Sequence, residues 1–240
     1  MGIIDTNALV LRTIKYGDSS IITTCFTEKE GLKTYLIKGI LKAKRGKLKT
    51  AYFQPLTQLT LTANHNTKGN LNSLKDAHVA YPYQTIHTHI IKQTMTLFLS
   101  EVLSNSIKEE APNPSMYAYL ETAFRWLDTH DAISNFHLLF LLNLTRFLGF
   151  YPDVSAKEKK GFHLLEGTFT DAVHEKMVIF GTDLDAFKKL IGIDFDAIER
   201  VSFHQKERQQ LLQVIIRYFE LHLEGFKHPK SLAVLEQVFQ

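Results

Sequence analysis

The sequence contains very little cysteine: Cys25 is the single one in 240 residues. One thiol excludes an internal disulfide and a zinc site built from cysteines. No apolar run approaches the roughly 18–20 residues needed to span a bilayer. The N-terminus has no basic segment followed by an apolar one, so we expect no secretory signal. These absences predict a cytoplasmic protein that does not enter the membrane.

Short motifs that mark common enzymes are also missing. There is no P-loop, no Gly-x-Ser-x-Gly and no His-Glu-x-x-His, and the 11 histidines form no catalytic pattern. One carboxylate group could bind Mg²⁺ in a nuclease: Asp183, Asp185, Asp194 and Asp196. Helix-capping and turn roles explain these aspartates more simply. We therefore predict a protein that is not an enzyme and needs neither cofactor nor metal, and we keep a metal-dependent nuclease as an alternative.

Charge is divided unevenly along the chain. Residues 1–80 hold 12 basic and 5 acidic side chains, a net charge of +7, whereas residues 81–240 have a net charge of −4. With 45% apolar and 22% charged residues, the composition is that of a globular protein. A polyanion would be attracted to the first third of the molecule.

The hydrophobic period changes near residue 80. Residues 1–80 alternate as strands do, over 3–14, 21–26, 32–37, 52–63 and 71–79, and five short strands suit a small closed barrel. From Tyr83 onward the spacing is helical, with an almost wholly apolar helix at Ile133–Leu148 that Gly149 ends. A polar break at 153–172 contains a possible hairpin. The sequence thus predicts an α+β protein with domains at 1–80 and 81–240.

A basic loop at residues 38–49 carries the most informative chemistry. Its six cations, with no acid among them, favour an anionic partner such as a phosphate chain, which gains from counterion release. Neighbouring rings could stack on bases of a single strand. The predicted DNA-binding residues are Arg12, Lys33, Tyr35, Lys38, Lys42, Lys44, Arg45, Lys47, Lys49 and Tyr52. An interaction module whose basic loop binds an acidic protein remains a second alternative.

Several segments together resemble the RecO family of bacterial recombination mediators. The similar runs are Tyr16–Ile21, Phe26–Leu32, Lys38-Gly39 with the basic loop, Phe53–Leu56, Leu148–Pro152, Tyr218–Gly225 and Pro229–Ser231. They span nearly the whole chain in the family's order. The resemblance implies an N-terminal OB-fold and a helical C-terminal domain with a small hairpin lobe.

The resemblance also implies a function and partners. It implies binding of single-stranded DNA, annealing of complementary strands, and loading of the RecA recombinase onto strands coated by single-strand-binding protein. Whether duplex DNA binds as well stays open. Implied partners are RecR and the acidic, Phe-ending tail of the single-strand-binding protein, for which the C-terminal helices offer an apolar surface and cations. The candidate tail-binding residues are Arg208, Arg217, Phe219, Lys227 and Lys230.

One departure from the family concerns metal. Many members carry a four-cysteine zinc site after the Leu-Gly-Phe-Tyr-Pro match, but residues 153–171 contain no cysteine here. We therefore expect the lobe to be held by apolar packing, with Phe162, Leu164 and Phe169 as candidates.

Overall fold

The computed structural model describes residues 2–43, 48–65, 71–108 and 110–239. The chain divides into two compact units, Met1–Thr129 and His130–Gln240. Unit 1 therefore extends well past the last barrel strand, because two helices pack on the barrel and belong to the same compact body.

Five strands form a closed barrel in unit 1: β1 (Ile3–Tyr16), β2 (Ser20–Thr27), β3 (Gly31–Ile37), β4 (Gln58–Asn64) and β5 (Asn72–Tyr81). Their order around the barrel is β1-β2-β3-β5-β4, and antiparallel pairing of β1 with β4 closes it. The pairing of β3 with β5 is parallel and short, at Tyr35 with Asn72 and Leu36 with Ser73. The predicted five-stranded, OB-like barrel is confirmed.

A bulge in β1 separates two environments along the same strand. The register of β1 on β2 slips between Val10 and Arg12, which leaves Leu11 as the extra residue. Just before the bulge, residues 8–11 are buried on both sides of the strand: Ala8 and Val10 face the barrel core, and Leu9 and Leu11 are also fully buried. Beyond the bulge, one side of the strand faces solvent.

The segment before β4 differs from the predicted strand at 52–63. Thr50–Phe53 form a short 3₁₀ helix, and the strand begins at Gln58. Pro55 has no N–H to donate to a sheet, and the N–H of Thr57 reaches the carbonyl of Gln54, which closes a tight turn. The turn places Phe53 in the barrel core.

Two helices complete unit 1: α1 (Ile90–Ser106) and α2 (Pro114–Thr129). Helical spacing begins at Tyr83 in the sequence, but α1 begins only at Ile90, because residues 84–86 are held by the carboxylate of Asp128. Its oxygens accept the N–H groups of Gln84, Thr85 and Ile86 at 2.8–3.1 Å. The ring of Phe26 in β2 lies 6.3 Å from that of Tyr117 in α2.

Unit 2 is helical around one central helix. Its helices are α3 (Phe136–Leu148), α4 (Gly181–Leu190), α5 (Phe195–Ile198), α6 (Gln205–His222) and α7 (Leu232–Val238). As predicted, α3 is buried almost all round and ends at Gly149, whose φ of 86° is the left-handed value of a glycine C-cap. In the described part of the chain, no helix is long and apolar enough to cross a membrane.

The predicted hairpin lobe is confirmed and has a third strand. β6 (Gly161–His163) pairs with β7 (Thr168–Thr170) on one side and with β8 (Val178–Phe180) on the other. Phe162 is fully buried, and its ring lies 4.9 Å from Phe187, 5.0 Å from Phe169 and 5.8 Å from Tyr218. Leu164 and Phe169 are buried as well, so apolar packing holds the lobe.

Candidate nucleic-acid interface

The outer side of β1, β2 and β3 beyond the bulge is exposed to solvent; we call it the open face. Cross-strand pairing arranges its side chains in rows. Arg12 lies beside Thr24, which lies beside Thr34; Ile14 lies beside Ile22, which lies beside Leu36; and Tyr16 lies beside Ser20. Side chains opposite each other on one face are about 4.5–5.5 Å apart. The open face therefore alternates a polar row with an apolar row and ends on an aromatic ring.

Two residues of the open face are unusually exposed for apolar side chains. Ile14 is 43% exposed and Tyr16 is 53% exposed. Arg12 is also exposed, and because side chains alternate along a strand it lies on the same side of β1 as Ile14 and Tyr16. Arg12 lies two residues before Ile14 and four before Tyr16. A cation in this position can contact a phosphate while the ring stacks on a base.

The first part of the basic loop is fixed against the β1–β2 turn. The N–H of Leu41 donates to the carbonyl of Ser19 at 2.9 Å, and the N–H of Gly39 donates to the hydroxyl of Ser20 at 3.3 Å. Gly39 has a φ of 73°, a left-handed conformation that glycine adopts without strain. Because Tyr16 pairs with Ser20, the loop begins at the end of the barrel that carries the exposed ring.

One of the exposed cations of this loop, Lys38, lines a groove. Lys38, Lys42 and Lys49 are all exposed. A groove of about 560 Å³ opens where β3 meets β5, lined by Leu36, Ile37, Lys38, Leu48, Asn64, Leu71, Asn72, Ser73 and Leu74. The groove lies where β3 and β5 pair in parallel. Its lining is largely apolar, and Lys38 lies at its edge. A groove of this size is large enough for one splayed base.

Comparison with known proteins identifies the family. The model described as Recombination protein O N terminal matches residues 1–83, and the one described as Recombination protein O C terminal matches residues 87–232. The chain belongs to the RecO family. It is 45% identical to the DNA repair protein RecO of Christiangramia forsetii over 237 residues, 99% of each chain. Its identity to that of Flavobacterium psychrophilum is also 45%, over 98% of this chain and 99% of the relative.

A more distant relative gives the same picture. The DNA repair protein RecO of Phocaeicola vulgatus is 32% identical over 98% of each chain. The resemblance seen in the sequence is therefore confirmed along the full length, barrel and helical region alike.

The predicted DNA-binding residues of this RecO-family chain separate into groups. Arg12, Lys38, Lys42 and Lys49 are exposed; Arg12 lies on the open face, and Lys38 and Lys42 lie in the part of the loop that is bonded to the β1–β2 turn. Tyr52 is half-buried against the barrel core. Three predicted residues lie outside the described part of the chain: Lys44, Arg45 and Lys47.

Two predictions need correction. Tyr35 has no exposed surface; it points into the barrel, and its hydroxyl lies 3.0 Å from Nε2 of His65. Its ring therefore offers no face to a base. Lys33 is on the same, inner side of β3 as Tyr35. Its side chain is only 17% exposed, and its ammonium lies 3.7 Å from the carboxylate of Glu110. It precedes Lys38 by five residues of strand, about 16 Å, and does not extend the same surface.

Sequence reasoning missed Lys15 and Tyr16, both exposed at the end of β1. The predicted first strand stops at residue 14, but the strand continues through Tyr16. The signal that could have found Tyr16 is the alternation of Arg12, Ile14 and Tyr16, which continues the strand period by one more step.

Three of the predicted tail-binding residues, Arg208, Arg217 and Phe219, do not converge. Phe219 is fully buried, so its ring is unavailable to a partner. Arg208 and Arg217 are nine residues apart on α6 and therefore point to opposite sides of the helix. Arg217 pairs with Glu220 at 3.0 Å, whereas Arg208 donates to Asn135 and lies over the ring of Phe239. Lys227 and Lys230 are exposed beyond the end of α6.

Arg208 instead belongs to a small pocket with His137, Leu212, Leu235 and Phe239. Burial lowers the pKa of Arg208. Burial, and then the charge of Arg208, lowers the pKa of His137 to about 3, so its imidazole is neutral. The ring of Phe239 stacks on His137 at 5.4 Å. The pocket thus combines one cation with an apolar lining.

Neither a nuclease centre nor a zinc site fits the side chains present. Asp194 caps α5 by accepting the N–H of Ala197 at 2.8 Å, and Asp183 and Asp196 lie in first turns of helices. Within the described ranges, no three His, Cys, Asp or Glu side chains group together as metal ligands. In the lobe, phenylalanine rings occupy the interior. Burial raises the pKa of Cys25, in the barrel core, to about 12.

Proposed function

We propose that this RecO-family chain is a DNA-repair mediator that binds single-stranded DNA on the open face and the basic loop, and that it acts without catalysing a reaction. The observation that carries the proposal is the exposed array of Arg12, Ile14 and Tyr16 next to Lys38 and Lys42. Cations, an apolar row and an aromatic ring are the three components that a sequence-tolerant single-strand site uses.

Annealing follows from the same charges. Two bare complementary strands repel each other through their phosphates, and the repulsion falls when ammonium and guanidinium groups neutralise them. A protein that holds strands by their backbones leaves the base edges free to pair. We propose that the chain promotes pairing in this stoichiometric way, in the cytoplasm, and also helps load RecA together with RecR.

Recruitment to coated DNA would use unit 2. We propose that the acidic tail of the single-strand-binding protein docks at the pocket of Arg208 and Leu212, with Lys227 and Lys230 as further cations. Support comes from the half-buried guanidinium beside apolar side chains, a combination that suits an acidic segment. The pocket replaces the wider set of residues expected from the sequence.

The DNA-binding proposal is tested with a loop variant, Lys38→Gln, Lys42→Gln and Lys49→Gln. A matched control variant, Lys29→Gln, Lys176→Gln and Lys206→Gln, removes the same charge elsewhere. Fluorescence anisotropy with a labelled single strand should show at least tenfold weaker binding for the loop variant, because its backbone contacts are lost. The slope of log affinity against log salt should also fall by about 2, roughly 0.7 for each contact.

The control variant should bind within about twofold of the wild type, since long-range attraction between exposed charges is largely screened at physiological salt. Equal weakening in both triple variants would mean that net charge alone attracts DNA and that the open face is not the site. Cleavage of the labelled strand with Mg²⁺ would favour the nuclease alternative. Binding of an acidic peptide but no oligonucleotide would favour the protein-interaction alternative.

A further inference from the structure

A second group of cations lies in unit 2, where segments from three parts of the chain meet. The ammonium of Lys157 donates to the carbonyl of Ile191 at 3.4 Å, and that of Lys188 donates to the carbonyl of Lys159 at 2.8 Å. These bonds hold residues 157–160 along the last turn of α4. The cations of this lysine patch are Arg146, Lys157, Lys159, Lys160, Lys188 and Lys189.

Tyr151 joins the end of α3 to the same patch. Its hydroxyl accepts a hydrogen bond from Arg146 at 2.9 Å and another from the N–H of Gly192 at 3.2 Å. The Arg146 guanidinium also lies 4.1 Å from the centre of the Tyr151 ring. Arg146, Lys157 and Lys188 are therefore held near one another by contacts with neutral groups.

Acidic side chains lie near the patch but do not pair with it: Glu158 stands between Lys157 and Lys159, and Asp171 accepts the backbone N–H of Lys160 at 3.4 Å. In the described part of the chain, none of its six cations forms an ion pair. The negative end of the α4 dipole accounts for Lys157 and Lys188, which bond carbonyls there. It does not account for Lys159 and Lys160, which precede the lobe, or for Lys189, whose ammonium lies 5.4 Å from the Phe203 ring. Cations that form no ion pair within the fold remain available to an external anion.

We propose that the lysine patch binds the phosphate backbone of a nucleic-acid strand, a second strand in addition to the one on the barrel. The apolar side chains beneath it, Phe187, Leu190 and Ile191, are buried. A protein partner binds most tightly through desolvated apolar anchors, which this surface lacks, whereas a phosphodiester chain needs only charge. The contacts would be independent of base sequence.

This inference rests on the proposed function and adds to it. An annealing protein that holds both complementary strands raises the concentration of one in the vicinity of the other, so that pairing becomes in effect intramolecular. The open face would hold one strand and the lysine patch the other. Unit 2 then contributes directly to annealing and not only to recruitment.

The test uses the full chain and a patch variant, Lys159→Gln, Lys160→Gln and Lys189→Gln. These lysines were chosen because their ammonium groups donate no hydrogen bond that holds the fold together. Two single strands that cannot pair, one with a donor dye and one with an acceptor dye, report simultaneous binding by energy transfer at limiting protein. The control variant defined above and the loop variant are measured beside it, and thermal melts verify folding.

For the patch variant, we expect the first strand to bind within about twofold of the wild type. The second strand should bind at least tenfold more weakly, the salt slope of that step should fall by about 2, and annealing of complementary strands should slow at least fivefold. The control variant should match the wild type in all three measurements.

The outcomes separate the two proposals. If the wild type binds and anneals strands and the patch variant does so equally well, the lysine patch is not a strand site, while the proposed function stands. If the wild type neither binds nor anneals, the proposed function itself fails. If polyglutamate competes for the patch but a second strand does not bind there, the surface docks an acidic protein and the strand proposal is overturned.

Discussion

Among single residues, Tyr16 gives the sharpest test of the open face. Replacing it with Ala removes the exposed ring but leaves the cations, so affinity for single-stranded DNA should fall by about 1–2 kcal/mol, the effect of one stacked base. The salt dependence should stay unchanged because no phosphate contact is lost. Anisotropy titrations at two salt concentrations measure both quantities.

Tyr35→Phe is the matched comparison, because it changes a tyrosine of the same barrel that faces inward. It should leave DNA affinity unchanged and lower stability slightly by removing the contact with His65. A larger loss of affinity for Tyr35→Phe than for Tyr16→Ala would mean that bases stack on the inner ring and would contradict the assignment of the open face.

Asp128 is a second informative residue, with a structural role. Burial alone would raise the pKa of its carboxyl, but the N–H groups of Gln84, Thr85 and Ile86 outweigh burial and lower it. Asp128→Asn replaces one accepting oxygen by a donor that faces those N–H groups, so we expect a loss of about 2–3 kcal/mol in the free energy of unfolding. Urea titration measures it, with exposed Asp131→Asn as a control that should change little.

The pH dependence of the Asp128 effect has a definite sign. The pKa in the folded state lies below the unfolded value of about 3.9, so the stabilisation is fully present above about pH 5. It is lost as the pH falls through the folded-state pKa, where the wild type becomes protonated. The gap between wild type and Asp128→Asn should therefore close in acid and stay constant from pH 5 to 7; a gap that widens in acid would contradict the role given to the carboxylate.

Residue roles were predictable only in part from the sequence. The alternation of β3 correctly placed Tyr35 and Leu36 on opposite faces. Which face is inside depends on pairing: Tyr35 lies next to Thr23 on β2, on the side that faces the core. Strand periodicity contains no information on which side closes the barrel. Tyr16 was missed for a related reason, because a turn motif and a strand end share the same residues.

Among the secondary-structure elements, the lobe of β6, β7 and β8 shows how this chain manages without zinc ligands. Phe162→Ala removes a buried ring with aromatic neighbours on three sides, so we expect a loss of about 3–5 kcal/mol. Phe180→Ala, in the same small sheet but 55% exposed, should change stability by no more than about 0.5 kcal/mol.

A chelator extends this test. Excess chelator should leave the thermal midpoint of the wild type unchanged, because buried phenylalanine rings fill the interior of the lobe. A drop in the midpoint that added Zn²⁺ restores would overturn this account, whatever the result for Phe162→Ala.

Elements were predicted well where local pattern and tertiary packing agree. The buried helix α3 and its Gly149 cap were predictable, because a continuous apolar surface and a following glycine leave few alternatives. The segment at 50–57 was not, because its apolar residues fit a strand equally well. Pro55 was the local signal against a strand there, and the final shape depends on the position of the core that Phe53 enters.

For the molecule as a whole, the uneven charge was visible in the sequence, but the limits of the compact units were not. The net +7 of residues 1–80 indicated the basic barrel. The change of period near residue 80 was interpreted as a domain boundary, and the two family models also meet there. Sequence period marks a change of secondary structure, whereas a compact unit is defined by burial across elements of both kinds.

The burial of three barrel residues predicts which fragment of unit 1 folds independently. Leu9, Leu11 and Phe26 are buried on the side of the barrel that carries α1 and α2, where Tyr117 approaches Phe26 and Ser104 bonds the carbonyl of Leu11. A fragment of residues 1–83 would expose all three, at a cost of roughly 5–9 kcal/mol, which is comparable with the entire stability of a small domain.

A fragment of residues 1–129 keeps both helices and the Asp128 contacts. We expect it to unfold cooperatively in urea and to retain DNA binding through the open face, whereas the 1–83 fragment should aggregate or unfold at much lower urea. Replacing Leu9 and Leu11 by Thr in the shorter fragment should improve its solubility without restoring its stability, since the exposed apolar area falls but no packing is regained. Equal urea midpoints for the two unmodified fragments would show that the helices contribute nothing to the barrel.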